Sequence, residues 1–413
     1  MADGEGCTGD GRPTRNAGAP APTIDGMVGH HAHGVVPIAG GRNENRSVVF
    51  APDSFKGSIG AAAAASALAS GWASVRPDDR AILRPVADGG EGTLDAFIAA
   101  VPGAERRAVV VTGPDGRATD ASWLLLPPTP DAPQGTAVVE LASTSGIELL
   151  GDRRLPWDAA TTGFGEAIVA ALDHGVSRLV LGIGSSASTD GGAGLLTALG
   201  ARLTDAEGHP IAPGARGLQT VVHADLSRLR PPPAGGVLVL SDVTNPLRGP
   251  SGAAAVFGPQ KGLAPEDVLR ADEGLCRLSG LIPADPRTPG AGAAGGTGFA
   301  LLAWGARLVP GAAEVAELVG LREAIAGASV VVTGEGSYDG QSAAGKAPAY
   351  VAALAGEAGV PVALAAGRIA PDASTSAFAA TASLTELAGS SAEALAEPER
   401  WLREAGATLA RAL

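Results

Sequence analysis

The chain has 413 residues, of which 45% are hydrophobic and 18% are charged, and its formal net charge at pH 7 is −13. This length exceeds what one hydrophobic core usually serves, so we expect two or three domains. The acidic balance argues against a nucleic-acid or anionic-membrane surface, because both partners need a basic face. No apolar run reaches the roughly 18 residues that a membrane span requires.

The first 46 residues are rich in Gly, Pro and small polar residues and show no hydrophobic periodicity. Such a composition is typical of a disordered tail. Cys7 and Cys276 have no second cysteine at a disulfide or metal-binding spacing. A reducing compartment fits this usage best, and we expect a cytoplasmic protein.

From Ser47 onward, short apolar runs lead into loops rich in Gly and Asp, and most of these lead into Ala-rich helical stretches. The runs are SVVFA (47–51), SRLVLGIG (177–184), GVLVLSD (236–242), SVVVTG (329–334) and PVALAAG (361–367). This alternation predicts βαβ units and a parallel sheet. Ligands of such sheets bind beyond the carboxyl ends of the strands, where these loops lie.

Between about 104 and 145 the pattern changes to short alternating runs divided by turns that contain Pro and Gly. This pattern predicts an antiparallel segment. We therefore expect a second, mixed α/β domain inserted into the first.

Acidic residues are concentrated in the Gly-rich loops, and three lysines lie in loops of the same kind. They are Asp53, Asp88, Glu91, Asp190, Asp242, Glu335, Asp339, Lys56, Lys261 and Lys346. Any one Asp before Gly is typical of a plain turn, and Ser54 or Thr189 alone is typical of a helix cap. Together, however, carboxylates suit Mg²⁺ and ammonium groups neutralise phosphate. The combination indicates a Mg²⁺-assisted phosphoryl transfer.

One stretch, Gly340-x4-Gly345-Lys346, has the spacing of a nucleotide-binding P-loop. A P-loop follows its strand directly and places Ser or Thr after the Lys as a Mg²⁺ ligand. Here Ala347 follows the Lys, and the preceding gap contains Glu335 and Asp339. These features argue against an ordinary P-loop.

Read together, the loops resemble the bacterial type I glycerate kinase family. The matching stretches are APDSFKGS (51–58), PVADGGEGT (85–93), ELASTSGIELL (140–150), ATTGFGEAI (160–168), STDGGAG (188–194), SDVTNPLRGPSGAAAVFGPQKG (241–262), PGAGAAGGTGFAL (289–301) and GEGSYDGQSAAGKAP (334–348). The resemblance implies phosphorylation of D-glycerate to 2-phosphoglycerate with ATP and Mg²⁺. It also implies a two-domain α/β protein with a Rossmann-like domain and the active site in the cleft between the domains. From the sequence pattern we place the Rossmann-like parallel-sheet domain at 47–85 and 290–413, interrupted by the inserted α/β domain at 86–289.

Within these stretches we assign roles to the candidate residues. Asp190 would orient or deprotonate the substrate hydroxyl, Lys56 and Lys346 would neutralise charge, and Glu335 and Asp339 would hold Mg²⁺. The further candidates for binding phosphate or substrate are Ser54, Asp88, Glu91, Thr189, Asn245, Lys261 and Gly345.

The sequence departs from the family pattern in two places. Ser185, Ser188 and Thr189 replace Gly, Thr and Asn, and Ser337-Tyr338 stand where the family commonly has Arg-Leu. Loss of an Arg removes a bidentate anion donor. Three alternatives therefore stay open: the substrate is a related hydroxy acid, the phosphorylated group is the 3-hydroxyl of glycerate, or the protein binds ligands without catalysing a reaction. The oligomeric state also stays open. A dinucleotide-dependent oxidoreductase is disfavoured, because no strand leads into G-x-G-x-x-G.

Overall fold

The computed structural model describes residues 46–87, 89–339 and 347–413. Most of the predicted disordered tail lies outside these residues, as do three candidate site residues, Asp88, Gly345 and Lys346. From Arg46 onward the described chain forms one unit by its internal contacts. No helix in this part of the chain is both long enough and apolar enough to cross a membrane.

The strands of the described chain form two large sheets and one two-stranded sheet. They are β1 (Ser47–Pro52), β2 (Arg80–Leu83), β3 (Glu105–Thr112), β4 (Ala118–Leu126), β5 (Thr136–Glu140), β6 (Arg178–Gly182), β7 (Arg202–Thr204), β8 (His223–Asp225), β9 (Val237–Leu240), β10 (Arg307–Val309), β11 (Val330–Tyr338), β12 (Val362–Ile369) and β13 (Ala380–Ser383).

Helices connect most of these strands. They are α1 (Ala61–Ala73), α2 (Thr93–Ala100), α3 (Ala142–Ser145), α4 (Thr162–His174), α5 (Ala193–Ala198), α6 (Gly214–Gly217), α7 (Ala253–Phe257), α8 (Val268–Ser279), α9 (Ala293–Ala303), α10 (Gly311–Leu318), α11 (Leu321–Ala326), α12 (Ala347–Glu357), α13 (Leu384–Ala388), α14 (Ser391–Ala396) and α15 (Pro398–Ala412).

The first sheet has the strand order β13-β12-β11-β1-β2, and all its pairs are parallel. Successive residues of β1 point to opposite faces, as the pleat of a strand requires. Val48 and Phe50 pack with α1 and α15, whereas Val49 and Ala51 pack in a core on the other face. Burial on both faces explains why this strand reads as a continuous apolar run.

The second sheet has the order β10-β9-β6-β5-β4-β3. Its first four strands are parallel, and β4 and β3 are antiparallel to their neighbours. The antiparallel segment predicted for 104–145 is thereby confirmed.

One core lies between the two sheets and contains residues of both. Ala51 and Val331 enter it from the first sheet, and Val138 and Val180 enter it from the second. Another core covers the opposite face of the second sheet and includes Phe164 of α4. The predicted α/β class, with a parallel-sheet part interrupted by an inserted mixed part, is confirmed.

The insertion extends further along the chain than the predicted boundary at 289. β10 pairs in parallel with β9, so the second sheet continues to Val309, and Phe299 of α9 is buried in the core of that sheet. The first sheet resumes only at β11. Three residues, Arg307–Val309, are too short a run to show periodicity in the sequence. The other domain boundaries stay predictions.

β11 also extends beyond its apolar run. Ser337 and Tyr338 pair with Arg368 and Ile369 of β12, so the Gly-rich stretch predicted as a loop from residue 334 begins inside a strand. Glu335 is therefore held by the sheet ladder.

Candidate active site

A cavity of about 610 Å³ lies at the carboxyl ends of β1, β11 and β12. Asp53 and Lys56, which follow β1, line it together with Glu335 of β11. Asp242, which follows β9, lines it from the second sheet. The cavity thus joins the carboxyl-end loops of both sheets, which is where a ligand is expected in sheets of this kind.

Three carboxylates face this cavity. Asp53 and Glu335 are 9% and 6% exposed, whereas Asp242 is exposed. The backbone N–H of Ser54 donates to Asp53 Oδ1 at 2.6 Å, and that of Gly311 donates to Asp242 Oδ1 at 3.0 Å. The second bond ties the loop after β9 to the first turn of α10. Backbone donors therefore help to hold two of the three carboxylates.

Carboxylate oxygens fit Mg²⁺, which commonly takes one or two carboxylates and completes its shell with phosphate oxygens and water. Within 46–87, 89–339 and 347–413, no group of three His, Cys, Asp or Glu side chains could hold a metal ion by itself. The donor chemistry of Asp53, Asp242 and Glu335 fits an ion that shares its ligands with a phosphate. Asp339, the other predicted metal ligand, follows β11 directly and is half-buried.

Two cationic side chains lie among the described residues of the cavity wall. Lys56 is exposed in the turn after β1, and that turn is closed by a bridge between the buried Phe55 and the half-buried Ile59. Arg368 is exposed near the end of β12. Arg368 was not among the site residues predicted from the sequence, although its place at the carboxyl end of a predicted strand was a usable signal.

Asp190 lies in a different environment. It is 0% exposed, and its Oδ2 accepts from Thr161 N at 2.9 Å, Thr161 Oγ1 at 2.8 Å and Gly194 N at 3.2 Å. Its Oδ1 accepts from Gly192 N at 3.1 Å. The carboxylate therefore joins the beginnings of α4 and α5. Its catalytic role stays a prediction, and these contacts give it a structural one.

Lys261 and Thr189 are buried beside Asp190, at 2% exposure each. The Lys261 ammonium donates to Ser186 Oγ at 2.7 Å and to the Ser188 carbonyl at 2.5 Å. Burial lowers the pKa of Lys261 to about 7, although the nearby Asp190 carboxylate acts in the opposite direction. These contacts fix the 185–190 loop from within.

Glu140 was not among the predicted site residues. It ends β5, is 4% exposed, and its Oε1 accepts from Gly92 N at 2.8 Å, just before α2. Burial raises the pKa of Glu140 to about 7, with the backbone N–H groups of Gly92 and Leu94 opposing the shift. Glu140 thus anchors the loop that carries the exposed Glu91.

The predicted residues therefore fall into separate groups. Ser54, Lys56 and Glu335 line the cavity, and Asp190, Thr189 and Lys261 form the buried cluster. Asn245 donates to the Ser251 carbonyl at 2.8 Å, which closes a turn. The substrate, phosphate and metal roles assigned to these residues stay predictions.

The Gly-to-Ser departure at 185 has a visible backbone consequence. Ser185 is exposed and has a φ of 58°, in the left-handed region. Glycine reaches this region without steric strain, whereas for other L-residues it costs about 1–2 kcal/mol.

The comparisons with known proteins agree with one another. Residues 48–413 match the model of the glycerate kinase family. The chain is 43% identical over 333 residues to glycerate 2-kinase of Escherichia coli K12, an alignment that covers 79% of this chain and 86% of that protein. It is 40% identical over 331 residues to glycerate kinase of Halalkalibacterium halodurans, with coverages of 78% and 86%.

The chain belongs to the glycerate kinase family. A crystal structure from Salmonella typhimurium LT2, provisionally named glycerate kinase 2, has the same fold, with a TM-score of 0.74 and 37% identity. The match covers 89% of this chain and 97% of that one. The family resemblance and the enzyme class expected from the sequence are confirmed.

Proposed function

We propose that this member of the glycerate kinase family transfers the γ-phosphoryl group of ATP to the 2-hydroxyl of D-glycerate with Mg²⁺. The observation that carries the proposal is the cavity at the carboxyl ends of both sheets, where Asp53, Asp242 and Glu335 lie with Lys56 and Arg368. Phosphoryl transfer depends mainly on in-line placement and on neutralising charge, and this set of groups offers both.

Mg²⁺ would be held by Glu335 with Asp53 or Asp242, and when bound it would neutralise charge on the phosphate oxygens. Lys56 would neutralise further phosphate charge from the rim of the cavity. The water-poor wall around Asp53 and Glu335 strengthens these interactions, because opposite charges attract more strongly at low dielectric.

We further propose that a carboxylate of the cavity wall orients the attacking hydroxyl. Asp190, the residue that the sequence favoured for this role, has both oxygens bonded to protein donors and is enclosed. It would act as a positioning residue that holds the 185–194 stretch. A general base must reach the proton that it accepts, and the wall carboxylates meet this condition for a ligand in the cavity.

The experiment is phosphorus NMR of reactions with ATP, Mg²⁺ and D-glycerate. We expect 2-phosphoglycerate at a kcat/KM of about 10⁴ M⁻¹s⁻¹ or higher, the lower end of ordinary enzyme efficiency. D-lactate, which has only the 2-hydroxyl, should accept phosphate better than 3-hydroxypropionate, which has only the 3-hydroxyl. 3-Phosphoglycerate as the product would overturn the regiochemistry, and no phosphorylated product from any hydroxy acid would overturn the function.

The variants Glu335→Gln and Lys56→Ala should each lower kcat/KM by more than about tenfold, because each removes a charge that the transition state requires. Arg322→Ala is a matched control, because this exposed arginine pairs with Glu357 on the surface of α11 and α12. Equal activity of all three variants would place the reaction outside this cavity.

A further inference from the structure

Arg368 and Ser337 form a polar pair in the cavity wall. The two residues are direct partners in the parallel register of β11 and β12, and both line the cavity. Arg368 Nη2 donates to Ser337 Oγ at 3.2 Å. Since paired residues of neighbouring strands project to the same face of a sheet, the two side chains share one stretch of wall.

The charge of the wall shows why this arginine matters. Among the described lining residues, Asp53, Asp242 and Glu335 are acidic, and only Lys56 and Arg368 are cationic. Without Arg368, Lys56 would be the one cationic side chain among the described lining residues. Besides any Mg²⁺ held by the carboxylates, Arg368 therefore supplies one of the two positive charges that the described wall offers to the phosphate groups of the nucleotide and the carboxylate of the acid.

A guanidinium group suits the binding of an anionic group better than a second lysine ammonium would. Its planar fork matches the two oxygens of a carboxylate or a phosphoryl group, and it stays charged at every physiological pH. Ser337 has a small side chain that leaves room for Arg368 in this stretch of wall, and its hydroxyl accepts a hydrogen bond from the guanidinium.

We propose that Arg368 binds an oxyanion of the reactants, a phosphoryl or carboxylate group, and that Ser337 is its positioning residue. This inference rests on the proposed function. Arg368 lies on β12, and its partner Ser337 lies on the neighbouring strand β11. The backbone of both strands is fixed by the ladder, so the donor is presented by a rigid element.

The test measures KM for ATP and for D-glycerate separately. Arg368→Ala should raise one of them by about 10- to 100-fold, the usual worth of a charge-assisted hydrogen bond, with little change in melting temperature. A rise confined to ATP identifies a phosphoryl group as the bound oxyanion, and a rise confined to D-glycerate identifies the carboxylate. Arg322→Ala should change neither constant.

The double variant Ser337→Arg with Arg368→Ser moves the guanidinium to the paired position on β11. It should recover most of the lost affinity, which a merely structural arginine would not explain. Unchanged KM values in Arg368→Ala, or failure of the double variant to exceed Arg368→Ala, would overturn the inference.

A direct measurement separates this inference from the proposed function. The ATP dissociation constant is measured by calorimetry, with no acceptor present. If the wild type binds ATP but phosphorylates no acceptor, the proposed function fails. With no acceptor to supply a carboxylate, the inference is then limited to a phosphoryl group: it stands on weaker ATP binding by Arg368→Ala and falls if that binding is unchanged.

Discussion

The substitution Asp190→Asn tests whether this residue is structural or catalytic. Asp190 Oδ2 accepts three hydrogen bonds, two of them from Thr161, and Oδ1 accepts one from Gly192 N. An asparagine has one oxygen and one NH₂ group. If its oxygen takes the place of Oδ2, its NH₂ group must face the N–H of Gly192.

The cost follows from these contacts. One hydrogen bond to a charged acceptor is lost, which costs about 1.5–3 kcal/mol, and two donors then face each other in a buried site. The three remaining bonds lose their charge assistance, and the buried Lys261 loses the carboxylate that favours its charged form. We expect a loss of at least about 3 kcal/mol in the free energy of unfolding. For a domain of this size, that is a fall of about 4 °C in melting temperature, from an unfolding entropy of about 2.1 cal/mol/K per residue.

The assay is thermal unfolding together with kcat for D-glycerate phosphorylation, and Thr161→Val is the matched control. That variant removes the hydroxyl that donates to Asp190 Oδ2 at 2.8 Å but keeps the carboxylate. We expect both variants to lose stability and to keep kcat within about tenfold of the wild type. A melting temperature of Asp190→Asn within about 1 °C of the wild type would refute the structural reasoning. A loss of kcat of about 10²- to 10⁴-fold in Asp190→Asn alone would identify a general base.

Three further predictions concern pH and backbone strain. The pKa of Lys261 is about 7 in the folded protein, against an ordinary value of 10.5. Between these pH values the unfolded chain holds more protons than the folded protein, so the free energy of unfolding should rise with pH. Urea unfolding at about pH 7 and pH 9 should show this rise in the wild type but not in Lys261→Met. The pKa of Glu140 is raised from 4.5 to about 7, so the folded protein holds the extra proton and stability should fall as pH rises through this window; Glu140→Gln should lack that fall, and equal slopes would contradict the shift. Ser185→Gly should stabilise the fold by up to about 1 kcal/mol, because it relieves left-handed backbone strain. Gly208 has a φ of 83° and nothing near an added Cβ, so Gly208→Ser should destabilise the fold by a similar amount. Denaturant midpoints that move the opposite way would contradict this account.

The sequence predicted the strands that are long apolar runs, and the end of the sheet at which the cavity lies, because both are local properties. A continuous apolar run such as SVVFA reflects burial on two faces, and it needs no knowledge of its partners. The polar residues that follow such a run must then lie at the carboxyl end. Ser54, Lys56 and Glu335 line the same cavity for this reason.

The buried cluster could not be predicted in the same way. Asp190 also follows a strand and precedes Gly, yet its loop folds inward onto Thr161, which is 29 residues away in the chain. Lys261 reaches Ser186 from 75 residues away. Contacts of this separation depend on how loops pack on one another, and spacing within one motif carries no information about that packing.

Glycines in and beside the matching stretches illustrate the same limit. A Cβ at Gly184 would lie 2.5 Å from Gly90 Cα, and one at Gly295 would lie 2.0 Å from the Ser188 carbonyl oxygen. The motif loops also bond directly to one another, from Gly184 N to Gly89 O at 2.9 Å and from Gly191 N to Gly295 O at 3.0 Å. Glycine at 184 and 295 is therefore required because backbone meets backbone, a reason independent of any phosphate. These glycines therefore belong to the packing of the loops on one another, whereas the reaction proposed for the cavity depends on residues carried by β1, β11, β12 and the loop after β9.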